Sequence, residues 1–312
     1  MDIIDLHCDV LFKMSDAEEP LDFKNAPQLQ ANLDRLKKGK VKVQVFAIFV
    51  DETVPQSRKY LEAIRQIELF QTQVLAPNPE MVHITDWHQL ERLQDGEIGA
   101  ILSLEGCDAI GADLFKLQAI LDAGVKLVGL TWNNENAVAY GAQNDPNLGL
   151  KDFAKEVLAL LNERDILIDV SHLNMQGFWD LLPIANHIIA SHSNARALCD
   201  HPRNLTDEQA KALIEQGGHI HLVYYPGFIV DGDKSVTMDA FIQHFIHLAD
   251  VVGVEHLGIG SDFDGIPYFV ENLHNASQAQ NLIGKLQEHF SEDEVKGIAS
   301  NNFLSYVKKM QK

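Results

Sequence analysis

Residues 98–124 read IGAILSLEGCDAIGADLFKLQAILDAG, a unit that recurs along the chain. The unit begins with a short apolar run that ends in Glu105, and it continues into a stretch with helical spacing of apolar residues that ends in glycine. The apolar run is typical of a buried parallel strand, and the periodic stretch is typical of an amphipathic helix with glycine after its last turn. The sequence therefore predicts a strand followed by a crossover helix.

Eight such units follow one another along the 312 residues. Their apolar runs are residues 3–9 (IIDLHCD), 43–50 (VQVFAIFV), 98–105 (IGAILSLE), 125–132 (VKLVGLTW), 166–172 (ILIDVSH), 187–192 (HIIASH), 219–225 (HIHLVYY) and 257–262 (LGIGSD). This alternation could form an open doubly wound sheet, but eight units in about 300 residues is the count of a (β/α)8 TIM barrel. No linker or low-complexity segment divides the sequence. We therefore predict an α/β protein in which residues 1–312 form a single (β/α)8 barrel domain.

Composition and charge narrow the class of protein. Hydrophobic residues make up 46% and charged residues 22%, which is typical of folded, soluble domains. The formal net charge of −20 disfavours nucleic acid and anionic membranes as partners, because both repel an acidic surface. The three cysteines form no zinc-type spacing and fit a reducing compartment. Because we find neither a secretory signal pattern nor an apolar run of membrane-spanning length, we expect a cytoplasmic protein.

Ionisable residues follow several of the apolar runs, at the strand ends where the chemistry of a TIM barrel takes place. His7 and Asp9 are two positions apart, so both side chains point to the same face of a strand, either as metal ligands or as a hydrogen-bonded pair. Glu105 ends a very apolar run, where a buried carboxylate is costly unless it is paired or bound to metal; otherwise it faces away from the barrel. His172 and His192 end two further runs, which we expect to be adjacent strands.

These five donors are more than one tetrahedral zinc ion takes from a protein, so their number predicts two metal ions. If Glu105 bridges the ions, one ion has His7 and Asp9, and the other has His172 and His192. A hydroxide that bridges two zinc ions would be a nucleophile near neutral pH, and the ions would polarise a carbonyl group. Hydrolysis of an amide or ester is therefore the expected chemistry, although Mn²⁺ or Co²⁺ could use the same ligands.

Three more residues complete the predicted site. Asp262, the first acidic residue after the eighth apolar stretch, is expected to be the catalytic proton shuttle beside the metals. Arg203 lies on the loop after the sixth run, where its guanidinium could bind a substrate carboxylate or form a surface salt bridge. Trp132 ends the fourth run and either lines the substrate pocket or belongs to the core. We interpret Asp264 as a turn residue.

Six motifs occur in a fixed order along the chain: DLHCD (5–9), SLEG (103–106), DVSH (169–172), SHS (191–193), HPRN (201–204) and GSDFDG (260–265). In order and approximate spacing they resemble the membrane dipeptidase (renal dipeptidase) family of binuclear zinc peptidases, in a short bacterial-type form. The resemblance covers nearly the whole chain. It implies a (β/α)8 barrel with two zinc ions, in which the five donors above are the ligands, Glu105 is the bridge and Asp262 handles the proton.

The resemblance also implies a substrate. Members of this family cleave dipeptides, some of them with a D-residue at the C-terminal position, and Arg203 would contact the dipeptide's terminal carboxylate. Many members are homodimers, which makes a homodimer an open option for this chain. Trp132 is a departure, because the better-studied branch has a histidine there, whereas an indole donates one hydrogen bond and carries no positive charge.

Two other functions stay open on the residues alone. The same ligands could serve another binuclear metal-dependent amidohydrolase, such as a deaminase or lactonase, because one barrel supports several hydrolytic reactions. The chain could also be a peptide-binding barrel without turnover. A substrate panel separates the three.

Overall fold

The structure, a computed structural model, describes residues 1–311. Eight parallel strands form a closed barrel, which confirms the predicted (β/α)8 fold. The strands are β1 (Ile3–Asp5), β2 (Val41–Phe49), β3 (Met81–His83), β4 (Ile98–Glu105), β5 (Val125–Gly129), β6 (Leu167–Asp169), β7 (Ile188–Ala190), β8 (His219–Leu222), β9 (Ser235–Val236), β10 (Leu257–Ile259) and β11 (Phe269–Val270). Around the barrel the order is β1, β2, β4, β5, β6, β7, β8 and β10, and β10 pairs back with β1.

Helices separate most of the strands. They are α1 (Val10–Asp16), α2 (Leu33–Gly39), α3 (Gln56–Leu69), α4 (Leu114–Asp122), α5 (Ala154–Glu163), α6 (Met175–Leu181), α7 (Asp207–Glu215), α8 (Met238–Val252), α9 (Ala279–Leu286), α10 (Glu292–Lys296) and α11 (Asn302–Met310). Local sequence fixes their ends, as in α7, where Thr206 and Gln209 form a reciprocal capping box. None of the helices in the described part of the chain has the length and apolar character needed to cross a lipid bilayer.

Three short strands lie outside the predicted set. Strand β3 pairs with the first three residues of β4. It lies on the same edge of β4 as β5, which pairs with β4 from Leu102 onward. Strands β9 and β11, of two residues each, form a separate parallel ribbon in the connections before and after β10.

Several barrel strands end earlier than the apolar runs suggest, and this positions the polar side chains. β1 ends at Asp5 and β6 ends at Asp169, so the chemistry-bearing residues lie in the turns just beyond the strands. Two of these residues have left-handed backbone conformations, with φ of 68° at His172 and 65° at Asp262. Such conformations are costly for residues other than glycine and are concentrated at functional sites.

The opposite end of the barrel is closed by the C-terminal helix. Phe303, Tyr306 and Val307 of α11 pack against the apolar residues that fill the barrel interior. The Tyr306 hydroxyl donates a hydrogen bond of 3.0 Å to the carbonyl oxygen of Ile188, the first residue of β7. Side chains of β8 also pack on this helix, with His221 against Phe303. The carboxyl ends of the strands are therefore the end at which a site can form.

Candidate metal centre

His7 and Asp9 lie in the turn that connects β1 to α1, and both side chains are buried. The Nε2 atom of His7 is 3.4 Å from Asp9 Oδ2, 3.5 Å from Glu105 Oε2 and 3.7 Å from Asp262 Oδ1. This buried nitrogen has no hydrogen-bond partner among the described residues. A buried nitrogen that lies near three carboxylates but makes no hydrogen bond to any of them is suited to bind a cation.

Glu105 ends β4 and faces both halves of the predicted ligand set. Its Oε2 atom is the one near His7, whereas its Oε1 atom is 2.9 Å from His172 Nε2 and 3.8 Å from His192 Nε2. The two oxygens of one carboxylate thus point to two different groups of donors. This orientation is the one that a bridging carboxylate requires.

His172 and His192 follow β6 and β7, and their Nε2 atoms lie 2.9 Å apart. His172 Nδ1 lies 2.8 Å from Asn133 Oδ1, so it carries the proton, and its Nε2 is left as a bare lone pair. His192 Nδ1 donates to Ser191 Oγ at 2.7 Å, because the Ser191 hydroxyl itself donates to Asp169. Two bare nitrogens at this distance repel each other unless a cation lies between them. A separation under twice the usual zinc–nitrogen distance of about 2.0–2.1 Å lets one ion contact both.

Protonation of the site also fits metal binding. Burial, followed by the charge of Arg203, lowers the pKa of His172 to about 3, and burial lowers the pKa of His192 well below its ordinary value. Burial acts to raise the pKa of Glu105, but the positive charge of His7 and the neighbouring imidazole of His172 hold it well below its usual range. The neutral imidazoles of His172 and His192 and the ionised Glu105 are in the forms that bind a divalent metal. Against the effect of burial, the charges of Glu105 and Asp9 raise the pKa of His7 well above its ordinary value, so His7 would release a proton on metal binding.

Two buried aspartates support the ligand-bearing turns and were missed by the sequence analysis. Asp5 Oδ1 accepts hydrogen bonds from the backbone N–H groups of His7 at 3.3 Å and Ser261 at 2.7 Å. Asp169 Oδ1 accepts in the same way from Ser171 at 3.0 Å and Ser191 at 2.9 Å. Each aspartate ends its strand and ties the following turn to a neighbouring loop. The shared signal was an aspartate just before the ligand in DLH and DVSH.

Asp262 lies at the edge of the same cluster, on the loop after β10. Burial, followed by the charges of other site carboxylates and opposed by His7, raises its pKa well above the usual value. Asp264, two residues further on, accepts hydrogen bonds from the backbone N–H groups of Gln30 at 2.7 Å and Ala31 at 3.0 Å, and from Lys13 Nζ at 3.1 Å. The loop that carries Asp262 is therefore fixed to a distant segment of the chain.

Arg203 is buried, with 4% of its surface exposed, and it faces the site. Its Nη2 donates to the carbonyl oxygen of His192 at 3.3 Å, its guanidinium stacks 5.3 Å from the Phe228 ring centre, and its Nε has no partner. No carboxylate of residues 1–311 lies within salt-bridge distance of it, so the surface salt bridge considered from the sequence is not formed. Burial lowers its pKa to about 10, which leaves the guanidinium charged at neutral pH.

A cavity of about 340 Å³ opens over this cluster. Its lining includes Asp9, Glu105, His172, Arg203 and Asp262, together with Trp132, which is half-buried and lies at the cavity rather than in the core. Aromatic rings and His201 form much of the remaining wall. The structure thus brings all eight predicted site residues together around one opening, with His7 and His192 buried beneath it.

Comparisons with known proteins point to one family. The sequence profile described as "Membrane dipeptidase (Peptidase family M19)" matches residues 1–312. An uncharacterised dipeptidase of Schizosaccharomyces pombe is 28% identical over 309 residues, which cover 93% of this chain and 74% of that protein. A Klebsiella pneumoniae protein encoded in the pqqA 5′ region is 34% identical over 188 residues, which cover 57% of this chain and 69% of that protein.

Solved structures show the same fold. A metallo peptidase from Rhodobacter sphaeroides, liganded with a phosphinate mimic of the dipeptide L-Ala-D-Ala, superposes with a TM-score of 0.93 at 23% identity over 99% of each chain. The probable dipeptidase PvdM from Pseudomonas aeruginosa superposes with a TM-score of 0.90 at 20% identity, over 100% of this chain and 96% of that one.

Proposed function

Because this chain belongs to the membrane dipeptidase family, peptidase family M19, and is accordingly a metal-dependent dipeptidase, we propose that it works with two zinc ions. The proposed ligands are His7 and Asp9 for one ion, His172 and His192 for the other, and Glu105 for both. The observation that carries this proposal is the pair of Nε2 atoms of His172 and His192, which lie 2.9 Å apart and face one oxygen of Glu105. The second oxygen of Glu105 faces His7.

The bound ions supply Lewis acidity, which polarises a carbonyl and lowers the pKa of coordinated water. Residues of the protein itself transfer the proton and bind the substrate. In peptide hydrolysis, a water oxygen forms the bond to the carbonyl carbon, the C–N bond breaks, and a proton must reach the leaving amine nitrogen. Asp262 Oδ1, which is 3.7 Å from His7 Nε2, is the group we assign to accept the water's proton and deliver it to that nitrogen.

We assign Arg203 to the carboxylate at the C-terminal end of the dipeptide. The guanidinium is buried, charged and without a carboxylate partner among the described residues, and its Nε makes no hydrogen bond. A buried cation with unused donors is stabilised by a carboxylate that reaches it, and the planar fork of arginine fits both carboxylate oxygens. This contact would orient the scissile carbonyl toward the ligand cluster.

The proposed metal site is tested by metal analysis and an assay on the same sample. Protein purified without chelator is expected to hold about two zinc ions per chain, as the two donor groups require, and to cleave L,L or L,D dipeptides until a chelator is added. The L,D set is included because the Rhodobacter sphaeroides relative was solved with a mimic of L-Ala-D-Ala.

Replacing Glu105, the proposed bridging ligand, tests the assignment of two metal ions. Glu105→Gln should lose both metal content and turnover, whereas Glu156→Gln, on the exposed surface of α5, should keep both. A fully metallated and active Glu105→Gln protein would contradict the two-metal assignment. Ammonia release without peptide cleavage would instead favour a deaminase.

We further propose that the chain acts as one catalytic domain in a reducing compartment such as the cytoplasm. A single sheet contains β1–β8 and β10, and α11 closes the end of the barrel opposite the site. Cys8, Cys107 and Cys199 are buried and unpaired, which suits a reducing environment. The homodimer stays a prediction.

A further inference from the structure

The circular order of the strands separates the cavity lining into two facing sides. Arg203 follows β7, and Phe228 follows β8. Phe49 ends β2, which is the fourth strand from β7 in either direction around the barrel of eight. Arg203 and Phe49 therefore stand on opposite sides of the opening, with the ligand cluster between them.

Three aromatic residues with adjoining rings extend from the side opposite Arg203, and we name them the aromatic wall: Phe12, Phe49 and Trp132. Trp132 follows β5 and lies between the two sides. The ring centres of Phe12 and Phe49 are 5.1 Å apart, and those of Phe49 and Trp132 are also 5.1 Å apart. All three line the cavity. The wall is held rigidly, because the buried amide of Gln66 accepts a hydrogen bond from Phe49 N at 3.0 Å and donates one to Phe49 O.

The placement of a dipeptide follows from these two sides. If its carboxylate binds Arg203 and its scissile carbonyl lies at the ligand cluster, the N-terminal residue extends across the opening toward the aromatic wall. We propose that the aromatic wall receives the side chain of the N-terminal residue, so that the enzyme favours dipeptides with a bulky apolar residue at this position over those with glycine. This inference rests on the proposed function.

Apolar side chains suit the wall better than charged ones. The three wall residues offer ring faces, with the indole N–H of Trp132 as their one polar group. Apart from the ligand cluster and Arg203, the ionisable side chains near the wall lie farther out, in a neighbouring cavity that shares Phe12 and Phe49 and includes Asp16, Asp51 and Arg65. Burying a leucine or phenylalanine side chain against rings corresponds to about a 10-fold to 100-fold gain in kcat/KM over glycine.

The test compares Phe-Ala, Leu-Ala and Gly-Ala as substrates of the zinc-loaded protein. Wild type is expected to cleave Phe-Ala and Leu-Ala with a kcat/KM at least about 10-fold above that for Gly-Ala. Phe49→Ala should reduce this ratio toward one, because the loss falls mainly on the substrates whose N-terminal side chain contacts the wall, and glycine makes no such contact. Phe12→Ala, which alters a half-buried ring of the same wall, provides the same test if Phe49→Ala does not fold. Phe115→Ala, on a ring that is 82% exposed, is the matched control.

Three results overturn the inference. The first is an equal rate for Gly-Ala and Phe-Ala in wild type, and the second is an equal loss for all three substrates in Phe49→Ala. The third is a preference for N-terminal lysine or arginine, which would assign the selectivity to the outer acidic residues. If no dipeptide is cleaved at all, the proposed function fails and the inference falls with it, an outcome distinct from cleavage without selectivity.

Discussion

At the scale of single residues, the orientation of His192 depends on a serine that binds no substrate. The Ser191 hydroxyl donates to Asp169 Oδ2 and accepts from His192 Nδ1, so it transmits the charge of a buried carboxylate to the imidazole. A hydrogen bond of this kind fixes the tautomer and the ring orientation of a metal-binding histidine. Ser191 belongs to the proposed zinc site although it is not itself a ligand.

We predict that Ser191→Ala weakens zinc binding by about 10-fold to 100-fold, because His192 loses the partner of its Nδ1 proton. The measurement is competition for zinc against a chelator of known affinity, which does not depend on activity. Ser193→Ala is the control, since the Ser193 hydroxyl bonds only to that of Ser171 among the described residues. Unchanged zinc affinity in Ser191→Ala would show that the backbone alone orients His192.

Sequence reasoning found the residues that face the opening but not those that support them. His7 and Glu105 stand out because they interrupt or end apolar runs. Ser191 and Asn133 carry no such signal, since hydrogen-bonding partners of a ligand are recognised only once the fold brings separate turns together. Asp169 lies inside the predicted run 166–172, and its three hydrogen bonds come from two different loops that only the fold brings together.

At the scale of elements, strand positions were predictable and strand ends were not. Residues 98–105 form β4 as predicted, because the run is apolar throughout and Gly106, with φ of 87°, follows it. β1 stops at Asp5 although the apolar run continues, because Leu6 and Cys8 keep only isolated backbone hydrogen bonds, from Leu6 N to Ile259 O and from Cys8 N to Val45 O. Strand β3 was missed, since the apolar stretch at residues 81–84 is only four residues long and is interrupted by His83.

The loop after β10 is an element whose position depends on one carboxylate, Asp264. Its oxygens accept two backbone N–H groups and one lysine, and its own N–H donates to Gln30 Oε1 at 2.6 Å. We predict that Asp264→Asn lowers kcat more than it changes KM and lowers the free energy of unfolding by about 1–3 kcal/mol, because one buried acceptor is replaced by a donor. Asp262, on the same loop, would lose its fixed position.

Steady-state kinetics, metal content and denaturant unfolding of this variant together check the prediction. Metal content should stay at the wild-type level, since Asp264 is not among the proposed ligands. Asp293→Asn, at an exposed position of α10, is the matched control. A change in KM with unchanged kcat would place Asp264 in substrate binding instead.

At the scale of the whole molecule, the two ends of the barrel differ in the surroundings of their ionisable residues. At the carboxyl ends of the strands, ionisable residues surround the opening. At the opposite end, which α11 closes, two histidines are buried. His219 Nδ1 lies 3.0 Å from His221 Nε2, and His221 Nδ1 donates to the carbonyl oxygen of Ile259 at 3.1 Å. The α11 rings of Tyr306 and Phe303 cover the pair. Within residues 1–311, no carboxylate lies close enough to these histidines to compensate a positive charge.

This arrangement makes the stability of the barrel sensitive to acid. Burial lowers the pKa of His221 to about 3, whereas an unfolded chain has a histidine pKa of about 6.5. Below pH 6.5 the unfolded chain therefore binds a proton that the folded protein does not, and the free energy of unfolding falls as the pH falls. The contribution is fully present above about pH 6.5, and each such histidine removes about 1.4 kcal/mol per pH unit between the two pKa values.

We predict that His221→Gln, which keeps a hydrogen-bonding side chain but cannot titrate, loses less stability on acidification than wild type. Between pH 6.5 and pH 5 the difference should be about 2 kcal/mol, because one proton-linked equilibrium is removed. Denaturant unfolding of the metal-free protein at both pH values measures this difference. Without metal, protonation of the proposed metal ligands affects wild type and His221→Gln equally. His88→Gln, an exposed histidine near the same end, is the control and should follow wild type. Parallel pH dependence in His221→Gln and wild type would mean that the closed end of the barrel admits a proton without unfolding.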